Sequence, residues 1–272
     1  MANDEYILGH YANVAKQYGL SPQSTIEDQV IRDAETDFFK KAISKILEKT
    51  PHLHRPLRIL DAGCGNGITI ERLSKVFPRT EFVGLEFTPE LHELCLQRHS
   101  KLENKKNITF IKGDLREPHS FQGQSFDIIY SQRAVINILG KQKQVQALRN
   151  IASHLTEDGH YLLSESFYET WSSLNHARAE FQMGEVPISK HNLFLTESRL
   201  KTLEKCGMTE YHHNLGRHFL STHFYLTRVL HPQISKRGDR AIAPHFVKFF
   251  TEGLGPNIGT YSPLQFRWFE KN

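Results

Sequence analysis

Three glycines at alternate positions, Gly63, Gly65 and Gly67, follow an aspartate, Asp61, at the end of the short apolar run Arg58-Ile59-Leu60-Asp61-Ala62. Glycines so placed let the chain turn sharply and bring its backbone into contact with a ligand, because no Cβ intervenes. The N–H groups of a helix that starts beyond Gly67 point at the same ligand. A second apolar run, Phe82-Val83-Gly84-Leu85, ends in Glu86, and a third, Ile108-Thr109-Phe110-Ile111, stops at Gly113-Asp114. A carboxylate at the tip of the neighbouring strand accepts hydrogen bonds from both hydroxyls of an adenosine ribose. The chemistry expected of these residues is recognition of a nucleoside ligand.

The elements that must hold these residues are short buried strands alternating with amphipathic helices. Residues 58–62 read as a strand and 68–77 as a helix with Ile70, Leu73, Val76 and Phe77 on one side. Residues 89–100 form a second such helix, carrying Leu91, Leu94, Cys95 and His99. Residues 126–130 are a fourth strand, 141–155 a helix closed by Asp158-Gly159, and 160–166 a fifth strand. A helix over 196–206 stops at Gly207, and 208–215 follow as a sixth strand. Residues 262–270 alternate as an antiparallel last strand, with 219–229 as the competitor for that role. Strands alternating with helices argue for an α/β fold with a parallel sheet and right-handed crossovers. Before all of this, Ile31, Ala34, Phe38, Ala42, Ile46 and Leu47 recur at helical steps, with Thr25 and Asp28 as a capping pair.

The dinucleotide-binding fingerprint is G-x-G-x-x-G, and this chain has G-x-G-x-G instead. The stretch Asp61-Ala62-Gly63-Cys64-Gly65-Asn66-Gly67 resembles motif I of the class I S-adenosylmethionine-dependent methyltransferases. With Glu86 and Gly113-Asp114 in register, the resemblance covers about residues 55–215. It implies a Rossmann-like, seven-stranded, mostly parallel sheet with helices on both faces. It also implies S-adenosyl-L-methionine as cofactor and S-adenosyl-L-homocysteine as product. The cofactor residues it implies are Asp61, Ala62, Gly63, Cys64, Gly65, Asn66, Glu86, Phe87, Gly113, Asp114, Leu115, Ser131 and Gln132. Asp114 would meet the adenine amino group, and Leu115 would pack on the ring. Many members place a helical cap before the first strand; here that is 1–54, with Tyr11, Tyr18 and Arg32 toward the cofactor and Arg32 on the methionine carboxylate. Residues 55–272 are then the methyltransferase domain, with insertions at 168–195 and 216–258 forming a substrate lid.

Methyl transfer from a sulfonium is an in-line displacement, so the protein mainly supplies proximity, alignment and exclusion of water. A hydroxyl acceptor calls for a general base, whereas a phosphate, carboxylate or thiolate does not. Candidate bases are His191, His176 and Glu165; candidate substrate contacts are Arg133, Tyr168, Arg178, Asn192, Tyr225 and Arg228. Enzymes that methylate exocyclic amines of nucleic-acid bases usually carry an Asn/Asp-Pro-Pro-aromatic tetrapeptide after the fourth strand. Ser131-Gln132-Arg133-Ala134 stands here instead. The loop after the fifth strand is similar to those of bacterial methyltransferases acting on sugars, glycans or small metabolites, which makes O-methylation of a small or glycan-linked acceptor the leading expectation. An RNA or protein methyltransferase remains open, as does a non-catalytic Rossmann-like binding protein. The arginines after 216, with Lys236, Arg237 and Arg240, would supply the basic face the first of these needs.

Composition narrows the class. The chain has 272 residues, 39% hydrophobic and 24% charged, with a net charge of +4, which suits an ordinary globular chain and an anionic substrate without demanding nucleic acid. No apolar run approaches the roughly 20 residues of a membrane helix, and the acidic start is wrong for a secretory signal. Three cysteines without paired spacing fit a reducing cytoplasm. His52, His54, His212 and His213 lack the spacing of a zinc site, so no metal is expected. The sequence leaves a homodimer open and does not fix the oligomeric state.

Overall fold

The computed structural model describes residues 2–24, 26–50, 55–103, 105–212, 214–235 and 244–272. Thr25, His52, His54, His213, Lys236, Arg237 and Arg240 lie outside the described residues.

The chain opens with two helices, α1 (Ala2–Tyr18) and α2 (Gln29–Lys49). The doubly wound part follows as β1 (Arg58–Ala62), α3 (Ile68–Val76), β2 (Glu81–Glu86), α4 (Pro89–Ser100), β3 (Ile108–Lys112), β4 (Phe126–Gln132), α5 (Lys141–Ser153) and β5 (Leu155–Ser166). Then come α6 (Tyr168–Glu180), α7 (Glu197–Lys205), β6 (Met208–Glu210), α8 (Ser221–Tyr225), α9 (His231–Ser235), α10 (Pro244–Leu254) and β7 (Leu264–Lys271). The described strands form one sheet in the order β3-β2-β1-β4-β5-β7-β6. Pairs among β1 to β5 are parallel, and β7 runs antiparallel between β5 and β6.

The two-residue period of a strand splits its side chains between two cores. Ile59, Ile128, Leu162 and Trp268 pack with Phe38, Phe39 and Ile43 of α2 and with Ile70 and Leu73 of α3. Their neighbours Leu60, Ile129, Leu163 and Phe269 pack with Leu148 and Ile151 of α5 and Leu200 and Leu203 of α7. Both faces are covered, which is why these strands read as continuous apolar runs.

Four boundaries depart from the sequence reading. Helix α1 carries only a thin inward stripe, Ile7 and Ala15 buried with Tyr11 between them, and periodicity did not announce it. Asp28 itself caps α2, accepting the Val30 amide at 3.0 Å. Helix α5 ends at Ser153, and Asp158-Gly159 lie inside the irregular start of β5, where Asp158 has φ +58° and the register against β4 shifts. Strand β6 is three residues long, and the competitor 219–229 is helical, which leaves the antiparallel place to β7.

Candidate active site

A cavity lies at the carboxyl ends of β1, β2, β3 and β4, where open α/β sheets take ligands. It is walled by the turn after β1, by Glu86-Phe87-Thr88 and by Gly113 to Arg116. Residues 132–134 and 136–138, with Arg32 of α2 and Asp4, Ile7 and Tyr11 of α1, complete it.

The glycine turn is built to its neighbours. Gly63 has φ +90°, and a Cβ there would stand 2.5 Å from the Cβ of Ala134. Gly67 has φ +77° and precedes α3, so the helix begins without a side chain over its N-terminus. Glu86 locks the turn to β2: its Oε2 accepts the Gly65 amide at 2.8 Å and its Oε1 the Thr88 amide at 2.8 Å. Burial pushes this carboxyl up to about 7, against the pull of those amides. Asp61 is also buried, which pushes it to about 8 with help from the Glu86 charge. Tyr130 donates to its Oδ2 at 2.9 Å, while its Oδ1 is buried without a hydrogen bond. A lone acceptor of this kind fits a ligand that brings a donor, above all a cationic one.

At the other strand tips, Asp114 is gripped by Arg116, whose Nε lies 2.8 Å from each carboxylate oxygen. Arg116 Nη1 reaches Asp4 of α1 at 2.6 Å, and its guanidinium sits 5.4 Å from the centroid of Phe87. Lys143 joins Asp4 at 3.1 Å, so α1 is tethered across the cavity by ion pairs. His191 stacks on His10 of α1, ring centroids 4.0 Å apart. Burial, with the neighbouring His10, holds the His191 ring down at about 4, so it is neutral at pH 7.

The structure brings most of the expected residues to this wall: Tyr11, Arg32, Asp61, Gly63, Cys64, Gly65, Asn66, Glu86, Phe87, Gly113, Asp114, Leu115, Gln132, Arg133, His191 and Asn192. Others lie elsewhere. Ala62, the last residue of β1, is buried in the core. Ser131 has no exposed surface, and its hydroxyl pairs with Tyr161 and Glu165, each at 2.8 Å. Tyr18 donates to Glu27 at 3.2 Å, away from the wall. As a base, Glu165 is corrected: it is fully buried, with one oxygen accepting Ser131 and the amides of Ala134 and Val135 and the other facing the amide of Ile136 at 3.3 Å. Burial pushes it to about 7, and it serves to fold the 134–136 turn rather than to reach the cavity. His176 is exposed on α6, outside the wall.

Four expected substrate contacts are likewise structural or exposed. Tyr168 is 49% exposed beside Trp171. Arg178 is buried and donates to the carbonyls of Gly184 (2.8 Å) and Arg228, tying α6 to the chain near residue 228. Tyr225 packs on Tyr261, centroids 4.8 Å apart, and the Arg228 guanidinium lies 5.9 Å from the centroid of Phe224. Sequence reasoning missed Asp4, Ile7, Thr69, Arg116, Ile136, Asn137 and Ile138, which share the wall. The signal available for 136–138 was their place just beyond a strand's carboxyl end.

A methyltransferase-domain family model matches residues 59–159, the span of β1 through the start of β5. Over that span the chain is similar to a methyltransferase domain. Among relatives, the malonyl-[acyl-carrier protein] O-methyltransferase of Bacillus cereus is 35% identical over 126 residues, 46% of this chain and 42% of that protein. That of Bacillus anthracis is 30% identical over 138 residues, 49% of this chain and 48% of its own. The chain thus spans less than half the length of these relatives. Likeness of fold to solved structures extends beyond the matched span. Magnesium protoporphyrin IX methyltransferase from Synechocystis PCC 6803 with bound SAM superposes with a TM-score of 0.58, 12% identity, 100% of this chain and 98% of that one. The N-methyltransferase NodS from Bradyrhizobium japonicum WM9 with SAH gives 0.54 at 16% identity over 77% and 88%. Among the described residues, no helix is long and apolar enough to cross a membrane.

Proposed function

We propose that the protein moves the methyl group of S-adenosylmethionine to an oxygen of a small, carrier-linked or glycan-linked molecule, in a cytoplasmic setting. The observation that carries this reading is the pair of buried carboxylates at adjacent strand tips. Glu86 stands beside the glycine turn, and Asp61 keeps one buried oxygen without a donor. Arg32 stands on the same wall. A nucleoside with an amino-acid tail satisfies all three: ribose hydroxyls for Glu86, an ammonium for Asp61 and a carboxylate for Arg32. Phe87 and Leu115 offer apolar surface for the base, and Asp114 an acceptor for its amino group.

When bound, the cofactor supplies a methyl group already activated on a sulfonium. The chain's own residues bind, align and exclude water. Helix α1 covers the cavity through the Asp4 ion pairs with Arg116 and Lys143. Ile136 and Ile138 line it with apolar surface, while Asn192 offers polar groups to an acceptor. The neutral His191 ring accepts a hydrogen bond from a hydroxyl without taking on charge. Preference for oxygen is supported by the relatives named as O-methyltransferases.

The test is transfer of a labelled methyl group from S-adenosylmethionine to panels of carboxylic acids, free and acyl-carrier-linked, and of sugars, amines, RNA and protein. Label in an oxygen of a small, carrier-linked or glycan-linked acceptor is expected. Label confined to nitrogen, RNA or protein would contradict the acceptor class.

A further inference from the structure

Glu35 lies midway along α2, has no exposed surface and is not on the cavity wall. A carboxylate taken wholly out of water is costly unless donors converge on it. Three do: Gln132 Nε2 at 2.6 Å, Arg133 Nε at 2.9 Å and Ser164 Oγ at 2.9 Å. Two of these donors, Gln132 and Arg133, are wall residues at the carboxyl end of β4.

Each is held from further sides. The Gln132 carbonyl oxygen accepts Thr69 Oγ1 at 2.7 Å, from the first turn of α3. Arg133 sits at φ +52°, a left-handed conformation that a non-glycine residue rarely adopts. Its amide donates to the Ser164 carbonyl at 2.8 Å, and its own carbonyl accepts Asn137 Nδ2 at 2.8 Å. Strain of this sort persists only where the surroundings over-determine it. Arg32, one helical turn before Glu35 on α2, is 2% exposed and lines the same end of the cavity.

Strand order places this end opposite the adenosine. Glu86 and Asp114 mark the tips of β2 and β3, the glycine turn follows β1, and β4 with α2 closes the far side. Arg32 and Arg133 bring two guanidinium groups to this end, the donor chemistry that matches a ligand carboxylate.

We propose that Glu35 is a positioning residue: it orients Gln132 and Arg133 and, with Arg32, shapes the end of the cavity that takes the amino-acid carboxylate of the cofactor. The inference rests on the cofactor reading above. It separates the two halves of the ligand, so the test compares S-adenosylhomocysteine with 5′-methylthioadenosine, which has the same nucleoside and thioether but no amino-acid tail.

Both ligands are titrated calorimetrically into wild type, Glu35→Gln, Glu35→Asp, Arg133→Gln and the Glu35→Gln/Arg133→Gln double variant. Glu35→Gln weakens S-adenosylhomocysteine by about ten- to a hundredfold, the scale of charged hydrogen bonds, and leaves methylthioadenosine within about twofold. Glu35→Asp recovers part of the loss, and the double variant is little worse than Glu35→Gln, because the two residues act as a unit. Arg133→Gln shows the same split between ligands and serves even if Glu35→Gln does not fold. Equal weakening of both ligands, or no weakening of either, overturns the inference. A wild-type protein that binds neither ligand overturns the cofactor reading and the inference with it.

Discussion

The Tyr130 hydroxyl donates to Asp61 at 2.9 Å, and the second oxygen of that carboxylate, equally buried, receives no hydrogen bond. One donor cannot compensate a charge so enclosed, so burial wins and the carboxyl is pushed up to about 8. A cation placed beside this group would favour its charged form and release its proton.

The first consequence is a pH-dependent affinity. In the ligand-free protein Asp61, at about 8, and Glu86, at about 7, are partly protonated near neutrality. A ligand that brings an ammonium and hydroxyl donors favours their charged forms, so affinity for S-adenosylmethionine rises with pH through about 7–8 and then levels. Calorimetry in buffers of different ionisation enthalpy should show proton release on binding. Asp61→Asn should remove the upper part of the dependence.

The ligand-free fold should show the opposite trend. Asp61 in the folded protein holds its proton at a pH where the unfolded chain, near 3.9, has lost it. Its contribution to stability is full below the unfolded value and lost as pH rises toward about 8. Thermal melts of wild type and Asp61→Asn should therefore diverge, the variant gaining relative stability from about pH 5 to pH 9.

Removing Glu86 tests the ribose contact. Glu86→Ala should weaken S-adenosylhomocysteine by about ten- to a hundredfold, corresponding to roughly 1.5–3 kcal/mol for charged hydrogen bonds. It also deprives the Gly65 and Thr88 amides of their acceptor, so a small fall in melting temperature should accompany the loss. Unchanged affinity would take Glu86 out of the site.

Gly63→Ala probes the turn itself. The added Cβ would lie 2.5 Å from the Ala134 side chain, at a φ of +90° that alanine disfavours. Destabilisation of about 1–3 kcal/mol is expected in denaturant melts, together with loss of cofactor affinity. A variant as stable as wild type would show that β1 and the 134–136 turn are not packed as described.

Much of the cavity wall at the tips of β1, β2 and β3 was legible in the sequence because its signals are local. The run from Asp61 to Gly67 carries its own strand, turn and helix start, and Glu86 and Asp114 each end an apolar run. The surroundings of the 132–138 segment and of α6 were not, because their determinants are long-range. Glu165 closes a strand and looks like a base, but the turn after β4 aims three amides at it. His176 and Arg178 are two residues apart on α6, yet one faces solvent and the other is buried against the chain near Arg228; helical phase alone does not say which. Glu35 reads as one more charge on an amphipathic helix until Gln132, Arg133 and Ser164 close around it.

Calorimetric titration with S-adenosylhomocysteine, run beside NAD(H), tests the central claim most directly. Saturable one-to-one binding of S-adenosylhomocysteine with no heat from NAD(H) is the predicted result. Binding of NAD(H) alone would contradict the account, because Gly63-x-Gly65-x-Gly67, Asp61 and Glu86 would then serve a different nucleotide.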